Sequence, residues 1–96
     1  MIKRIVKMTF RTDATDAFRK LFAENRHLIA GFPGCRSLEL HCEAGRPEVF
    51  FTISVWESES DLENYRRSEL FGTVWAQTKV LFAEKAEAWT LREVSG

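Results

Sequence analysis

The 96-residue sequence contains few cysteines, few prolines and no net charge. Its two cysteines, Cys35 and Cys42, are separated by an odd number of positions, so on one strand they would point to opposite faces and could not pair. We therefore expect two reduced thiols. Fourteen Lys and Arg residues balance fourteen Asp and Glu residues. No basic block marks a surface for nucleic acid or an anionic membrane.

Long apolar runs are also missing. No stretch approaches the ~20 residues of a membrane span. The opening segment, MIKRIVKMTF, has neither the apolar core nor the cleavage site of a signal peptide. The composition instead offers 45% hydrophobic and 12% aromatic residues, which is ample for a packed core. We expect a single cytoplasmic domain over residues 1–96, with no membrane or nucleic-acid partner.

Alternating apolar residues predict four strands. The alternation is clear in Ile2–Phe10, Cys35–Glu43 and Glu48–Trp56, and weaker in Ala86–Val94. A short turn between the second and third segments indicates a hairpin. The third segment carries bulky apolar side chains on both faces, which is typical of a central strand.

Two helical regions separate these strands. We expect the first to be capped by Thr12 or Asp13. We expect the second to begin at Ser58 or, as a capping box, at Ser60, and to bend around Ser68. The apolar stripe of the first region consists of Ala14, Ala17, Phe18, Leu21, Phe22, Leu28 and Ile29.

This β-α-β-β-α-β order predicts an α+β fold of the ferredoxin-like class. A four-stranded antiparallel sheet would carry the helices on one face. We expect the uncovered face to bear Ile5, Phe50, Trp56 and Ala88, which would leave a large apolar patch in water. A second copy packed sheet against sheet would cover this patch. We therefore expect a homodimer.

The stretch from Val55 to Phe71 carries a recognisable pattern, V-W-E-S-x₃-L-x₂-Y-x₂-S-x₂-F. Together with a long helix that ends in Gly-Phe-Pro-Gly and a hairpin, it resembles the family of antibiotic biosynthesis monooxygenases. The resemblance extends over essentially the whole chain by element order. It implies a dimeric α+β barrel, in a family that includes quinol monooxygenases and bacterial haem-degrading enzymes.

The same resemblance separates these activities at three positions. Quinol monooxygenase-like members carry histidine nine residues after the motif tryptophan, where this chain has Tyr65. Haem degraders carry tryptophan there, asparagine on the first strand and an iron-ligating histidine ten residues further on. The corresponding residues are Tyr65, Val6 and Trp75. We expect His27 to face solvent and His41 to lie on the hairpin, which leaves no axial haem ligand. The chain therefore resembles the quinol monooxygenase-like members more closely.

The resemblance implies a cofactor-independent monooxygenase acting on a small quinol-, phenol- or polyketide-like aromatic. Such a substrate, once deprotonated, can itself reduce O₂, so we expect no metal, flavin or haem. The pocket is expected between the helices and the sheet. We assign catalytic roles to Tyr65 and to Asn25, an amide within the first apolar stripe. The predicted substrate-binding residues are Trp75, Phe71, Phe22, Thr78 and Phe51.

Two other classes of function stay open. The same fold serves as a non-catalytic ligand-binding or stress-response dimer, in which Tyr65 and Trp75 would only complete the core. An RNA-binding sheet is the other class, but it requires exposed aromatics and basic residues on one face. Zero net charge and the lack of an RNP-type pattern argue against RNA. An open pocket bounded by Tyr65 and Trp75 would favour the enzyme.

Overall fold

The computed structural model describes residues 1–95 as four strands and three helices. The strands form one antiparallel sheet in the order β2-β3-β1-β4, so the first and third strands are central. This confirms the predicted ferredoxin-like α+β fold, including the division of the second helical region. The elements are β1 Ile2–Thr9, α1 Thr15–Ala30, β2 Cys35–Glu43, β3 Arg46–Trp56, α2 Glu59–Arg66, α3 Glu69–Lys79 and β4 Glu87–Arg92.

Two serines determine where α2 and α3 begin. The Ser58 hydroxyl accepts the Asp61 backbone N–H at 3.1 Å and donates to the Asp61 carboxylate at 3.0 Å. The predicted capping box at Ser60 is therefore wrong, because the Ser58 hydroxyl caps α2 and Ser60 lies inside the helix. The Ser68 hydroxyl accepts the Phe71 backbone N–H at 3.1 Å and donates to the Tyr65 carbonyl at 2.6 Å. Ser68 thereby joins the end of α2 to the start of α3.

The first helix departs from the prediction at its start and on one face. Thr12 and Asp13 do not cap it, because the Ala14 N–H donates to the Arg11 carbonyl in a turn and Ala14 takes the cap position. Leu28 was predicted to belong to the apolar stripe, but it is 47% exposed. It lies about 120° around the helix from the buried Phe22 and so points away from the sheet.

Strand register decides which side of the sheet the helices cover. Ile2 pairs with Trp56 and Met8 with Phe50 across β1 and β3. Paired residues point to the same side of a sheet, and all four lie in the two clusters that pack under the helices. We call this side the covered face and the opposite side the open face. The open face consists of Lys3, Ile5, Lys7, Thr9, Ser37, Glu39, His41, Val49, Phe51, Ile53, Val55, Glu87, Trp89 and Leu91.

The residues predicted for the uncovered side are therefore mostly wrong. Phe50 and Trp56 are 1% and 0% exposed beneath the helices, and Ala88 pairs with Val6 on the covered face. Only Ile5 lies on the open face as predicted. The error arose because β3 is apolar on both sides, so alternation separates its two faces without indicating which one the helices meet.

The helices pack onto the covered face in two clusters. One is dominated by stacked and edge-on phenylalanines and lies under α1, and the other lies under α2 around Trp56. Among residues 1–95, no helix combines the length and apolar character required to cross a membrane. The buried members of the two clusters are Met8, Phe10, Phe18, Phe22, Phe50, Ile2, Trp56 and Leu62.

Candidate functional site

A cavity of about 90 Å³ lies between the helices and the covered face of the sheet. Its wall comes from β1, α1, β2, β3, α2 and α3, and every side chain in it is uncharged at neutral pH. The cavity is therefore an apolar space with a few polar atoms in its wall. The lining residues are Val6, Met8, Phe18, Leu21, Phe22, Ile29, Leu38, Thr52, Ser54, Trp56, Tyr65, Phe71, Val74, Trp75 and Thr78.

Three of the polar groups in the wall are already engaged in hydrogen bonds. The Thr78 hydroxyl donates to the Val74 carbonyl at 2.7 Å, one turn earlier in α3. The Ser54 hydroxyl accepts the Trp56 indole N–H at 2.9 Å. These bonds satisfy polar atoms in a buried environment.

Three further polar groups have no protein partner. Within residues 1–95, no hydrogen bond engages the Tyr65 hydroxyl, the Trp75 indole N–H or the Thr52 hydroxyl. All three residues line the cavity. They are the groups through which the cavity can bind a polar atom of a ligand.

Tyr65 belongs to a continuous row of aromatic rings along α2 and α3. Its ring stacks on Trp56 with centroids 5.0 Å apart and meets Phe71 edge-on at 5.2 Å. Phe71 then stacks on Trp75 at 5.8 Å with the planes 10° apart. Since the Ser68 hydroxyl fixes the junction of the two helices, this row is held as one wall.

Burial, with a smaller contribution from the neighbouring Cys35, raises the pKa of Tyr65 to about 12. Burial likewise raises the pKa of Cys35. At neutral pH both groups keep their protons. Tyr65 therefore acts as a hydrogen-bond donor and not as a base.

A second depression shares part of this wall. It is a groove of about 210 Å³, and Val6, Tyr65, Phe71 and Trp75 line both it and the cavity. The groove has a different chemical character, because it contains two arginines. Its remaining lining residues are Arg4, Arg66, Ala86 and Ala88.

Five of the seven predicted site residues line the cavity, and two do not. Asn25 is half-buried on α1, but it does not line the cavity, and its amide donates to the Leu21 carbonyl at 2.9 Å in its own helix. Phe51 pairs with Lys7 and His41 on the open face, so its predicted place in the pocket is wrong. The five that line the cavity are Tyr65, Trp75, Phe71, Phe22 and Thr78.

Sequence reasoning missed Thr52 and Ser54 because it assigned their face of β3 to a dimer interface. Their pairing with Val6 and Arg4 of β1 places them on the covered face. The available signal was the alternation in the first strand. It groups Val6 with the apolar residues Ile2 and Met8, which indicates that this face of the sheet is the one the helices cover.

The two histidines lie away from the cavity. His27 is exposed on α1, as predicted. His41 lies on the open face, with its Nε2 2.8 Å from a Glu39 carboxylate oxygen. Neither residue can ligate a haem iron held in the cavity, so the cavity residues do not fit a histidine-ligated haem. In the described part of the chain, no three His, Cys, Asp or Glu side chains are grouped as metal ligands.

A family model described as antibiotic biosynthesis monooxygenase matches residues 1–77. The chain belongs to the antibiotic biosynthesis monooxygenase family. This confirms the family that the motif around Trp56 and Tyr65 indicated, whereas the quinol monooxygenase-like subgroup stays a prediction. No curated protein matches the chain.

Solved structures agree with this family at the level of fold. An antibiotic biosynthesis monooxygenase superimposes with a TM-score of 0.92 at 19% identity, covering 99% of this chain and 100% of its own. A conserved protein from Methanosarcina mazei Go1 gives 0.92 at 18% identity, over 97% and 92% of the two chains. A protein from Nitrosomonas europaea, provisionally described as an antibiotic biosynthesis monooxygenase, gives 0.90 at 19% identity, over 99% and 100%.

Proposed function

We propose that this family member is a cofactor-independent monooxygenase of a small phenolic, quinol-like or polyketide-like aromatic. The observation that carries the proposal is the apolar cavity whose wall holds the unpaired donors of Tyr65 and Trp75. A flat aromatic ligand suits a site of apolar rings with a few polar groups. The family membership and the monooxygenase neighbours support the same reaction class.

In the proposed reaction the substrate supplies all four electrons that reduce O₂. For an activated methylene, R₂CH₂ + O₂ gives R₂C=O + H₂O, and for a phenol, ring C–H oxidation gives a quinone and water. One oxygen atom enters the new carbonyl and the other leaves as water. The deprotonated substrate passes an electron to O₂, and the two radicals combine in a C–O bond. The resulting peroxide anion takes up a proton, and cleavage of the O–O bond with loss of the hydrogen on that carbon releases water.

The protein's role in this scheme is to exclude water and to stabilise charge. The Tyr65 hydroxyl would donate to the substrate oxygen on which negative charge develops, in a site of low polarity where such a bond is strengthened. Tyr65 keeps its proton at neutral pH because its pKa is about 12. The substrate proton therefore leaves to water or is lost before binding, and substrates with acidic protons should react fastest.

We further propose that the protein is a homodimer through the open face of the sheet. Trp89 and Leu91 are 44% and 45% exposed there, and Ile5, Phe51 and Ile53 are only half-buried. Apolar side chains grouped on one sheet face favour a partner surface. A second copy would bury this face against its own equivalent, as in an isologous twofold interface.

A specific observation also favours a second candidate, a non-catalytic ligand-binding protein on the same fold. No residue that lines the cavity has a pKa suited to accept a proton at neutral pH. Such a protein would bind the same aromatics without consuming O₂. The two candidates therefore differ in turnover and agree on binding.

Oxygen consumption with a panel of quinols and anthrones tests the enzymatic proposal. We expect the wild-type protein to consume one O₂ per product formed, with no added metal, flavin or haem. Tyr65→Phe should lower turnover about ten- to a hundredfold, as for one lost transition-state hydrogen bond. Trp75→Ala should instead weaken substrate binding.

Circular dichroism and thermal unfolding serve as the control that both variants keep the fold. Full activity of Tyr65→Phe on a substrate that the wild type turns over would contradict the role of this hydroxyl. Binding of the aromatics without any O₂ consumption above the uncatalysed rate would favour the non-catalytic candidate.

A further inference from the structure

We propose that the preferred ligand is an aromatic acid whose ring packs against the aromatic wall shared by the cavity and the groove, and whose carboxylate binds Arg4 and Arg66 in the groove. This inference rests on the proposed function for the ring site, and it adds the charge of the ligand and the residues that bind it. Three observations carry it: a half-buried arginine without an acidic partner, a second arginine beside it, and a wall shared by the two depressions.

Arg4 is an unusual residue for its position. It lies on the central strand β1 and on the covered face, where it pairs with Ser54 and Thr90. Its Nη1 donates to the Thr90 hydroxyl at 2.7 Å, and within residues 1–95 it has no carboxylate at ion-pair distance. A partly buried cation is costly unless it is paired. Arg4 is thus a candidate partner for an anion from outside the chain.

The surroundings of Arg4 add positive charge. Arg66 lines the same groove and is close enough to lower the pKa of Arg4 after the larger effect of burial, whereas Glu63 raises it. The carboxylate of Glu63 is shared between Arg66 at 3.5 Å and Arg67 at 3.1 Å. Two guanidinium groups therefore line the groove, and the carboxylate nearest to them is already paired with Arg66 and Arg67. The groove keeps an excess of positive charge for a ligand anion, and guanidinium groups bind carboxylates bidentately.

The shared wall connects this charge to the ring site. Val6, Tyr65, Phe71 and Trp75 line both depressions, so a ligand in the groove contacts Tyr65 and Trp75 as well as the arginines. The cavity of about 90 Å³ is smaller than a cavity of ~150 Å³ that binds benzene. The adjoining groove of about 210 Å³ exceeds that volume. A ring on the shared wall therefore has room on the groove side, within reach of the two arginines.

A pair of probes that differ only in charge tests the inference. We would measure the binding of 4-hydroxybenzoate and 4-hydroxybenzamide by isothermal titration calorimetry, with the Trp75 indole N–H signal in NMR to locate the ligand. The wild-type protein should bind the benzoate about tenfold more tightly, which corresponds to about 1.4 kcal/mol at 25 °C. Arg66→Gln should remove most of this preference and leave the affinity for the benzamide unchanged.

Arg36→Gln is the matched control. Arg36 is 54% exposed and forms an ion pair with Glu57, much as the 44% exposed Arg66 pairs with Glu63, but it does not line the groove. It should keep the full preference for the benzoate. Arg4→Gln should lose the preference as Arg66→Gln does. If the Arg4 variant fails to fold, Arg66→Gln against Arg36→Gln still decides the question.

Equal affinity of the wild type for the two probes would overturn the inference, as would a preference that survives in Arg66→Gln. Failure of both probes to bind at about millimolar concentration would also overturn it. The proposed function fails separately: a charge preference without O₂ consumption on any phenolic acid leaves the binding inference standing. O₂ consumption on neutral quinols without any charge preference leaves only the monooxygenase proposal.

Discussion

The two faces of the sheet are built from the same four strands, but they differ in how completely their apolar side chains are covered. On β3, Phe50 and Trp56 are 1% and 0% exposed beneath the helices, whereas the neighbouring Phe51 and Val55 are only half-buried on the open face. Phe50 and Phe51 are the same residue type. The difference teaches that packing against the helices, and not residue type, makes one face the core of this molecule and leaves the other available for a partner.

The strongest test of this comparison replaces each of two adjacent phenylalanines by alanine. Phe50→Ala should lower the free energy of unfolding by about 3–5 kcal/mol, because Phe50 packs against Phe10 and Phe18 in the buried cluster. Phe51→Ala should cost less than about half of that in the monomer. Denaturant unfolding at low protein concentration measures both values.

Low concentration is essential here, because any dimerisation through the open face would add to the apparent cost of Phe51→Ala. Equal losses in the two variants under these conditions would contradict the difference between the faces.

A glycine beside α2 tests how closely the helices pack onto the covered face. Gly34 has φ +89°, and an added Cβ would lie 2.4 Å from the Asp61 side chain at the start of α2. Gly34→Ala should therefore destabilise the protein by about 2–4 kcal/mol, from backbone strain together with the displacement of α2 from the covered face. Thermal or denaturant unfolding provides the measurement.

Gly45→Ala is its control. Gly45 has φ +85° in the β2–β3 turn, but nothing lies within 4 Å of its added Cβ. Only the left-handed strain applies, which costs about 1 kcal/mol. A Gly34→Ala variant no less stable than Gly45→Ala would show that the contact with Asp61 relaxes without cost.

A lysine on the open face tests the proposed dimer. Trp89→Lys should weaken self-association at least about tenfold, since it places a charge within the apolar patch. Sedimentation equilibrium at micromolar concentration measures the change. Leu28→Lys is matched to it, because Leu28 is 47% exposed and Trp89 44%, but Leu28 lies on α1 away from the sheet. A wild-type protein that is monomeric in this range would contradict the dimer.

The smallest expected effect concerns Tyr65 at alkaline pH. Its pKa is about 12 in the folded protein and ~10 in an unfolded chain. Between these values the unfolded state has lost a proton that the native state keeps, so the free energy of unfolding should fall as pH rises through this window. Below it, Tyr65 should make no contribution to the pH dependence of stability. Tyr65→Phe should lack this part of the loss.

Tyr65 is the only tyrosine of the chain, so near-ultraviolet absorbance of tyrosinate follows this one side chain. A titration of the folded protein at the ordinary pKa would indicate that the hydroxyl lies in solvent. That result would also remove Tyr65 from the proposed site.

Much of the site was predictable because helical spacing fixes which residues share a side of a helix. Tyr65 follows Leu62 by three residues, and Phe71, Trp75 and Thr78 recur at helical intervals, so their inward direction followed from the sequence. Asn25 shows the limit of the same reasoning. Its spacing brings it towards the sheet, but its amide bonds to Leu21 within the helix, and the pattern does not distinguish a side chain that reaches a cavity from one that stops beside it.

The sequence by itself determined the order of the strands and helices along the chain and the break at Ser68. It also determined the inward direction of Tyr65, Phe71, Trp75 and Thr78 and, through the motif around Trp56, the family. These features depend on local periodicity and on caps, which act over a few residues of chain. Only the tertiary structure decided which face of β3 is buried, that Thr52 and Ser54 line the cavity, and that Arg4 lies beside Arg66. These depend on the register between β1 and β3 and on how α2 packs across them. Residues far apart in sequence become neighbours there, and a strand that is apolar on both sides carries no local signal of which side the helices will cover.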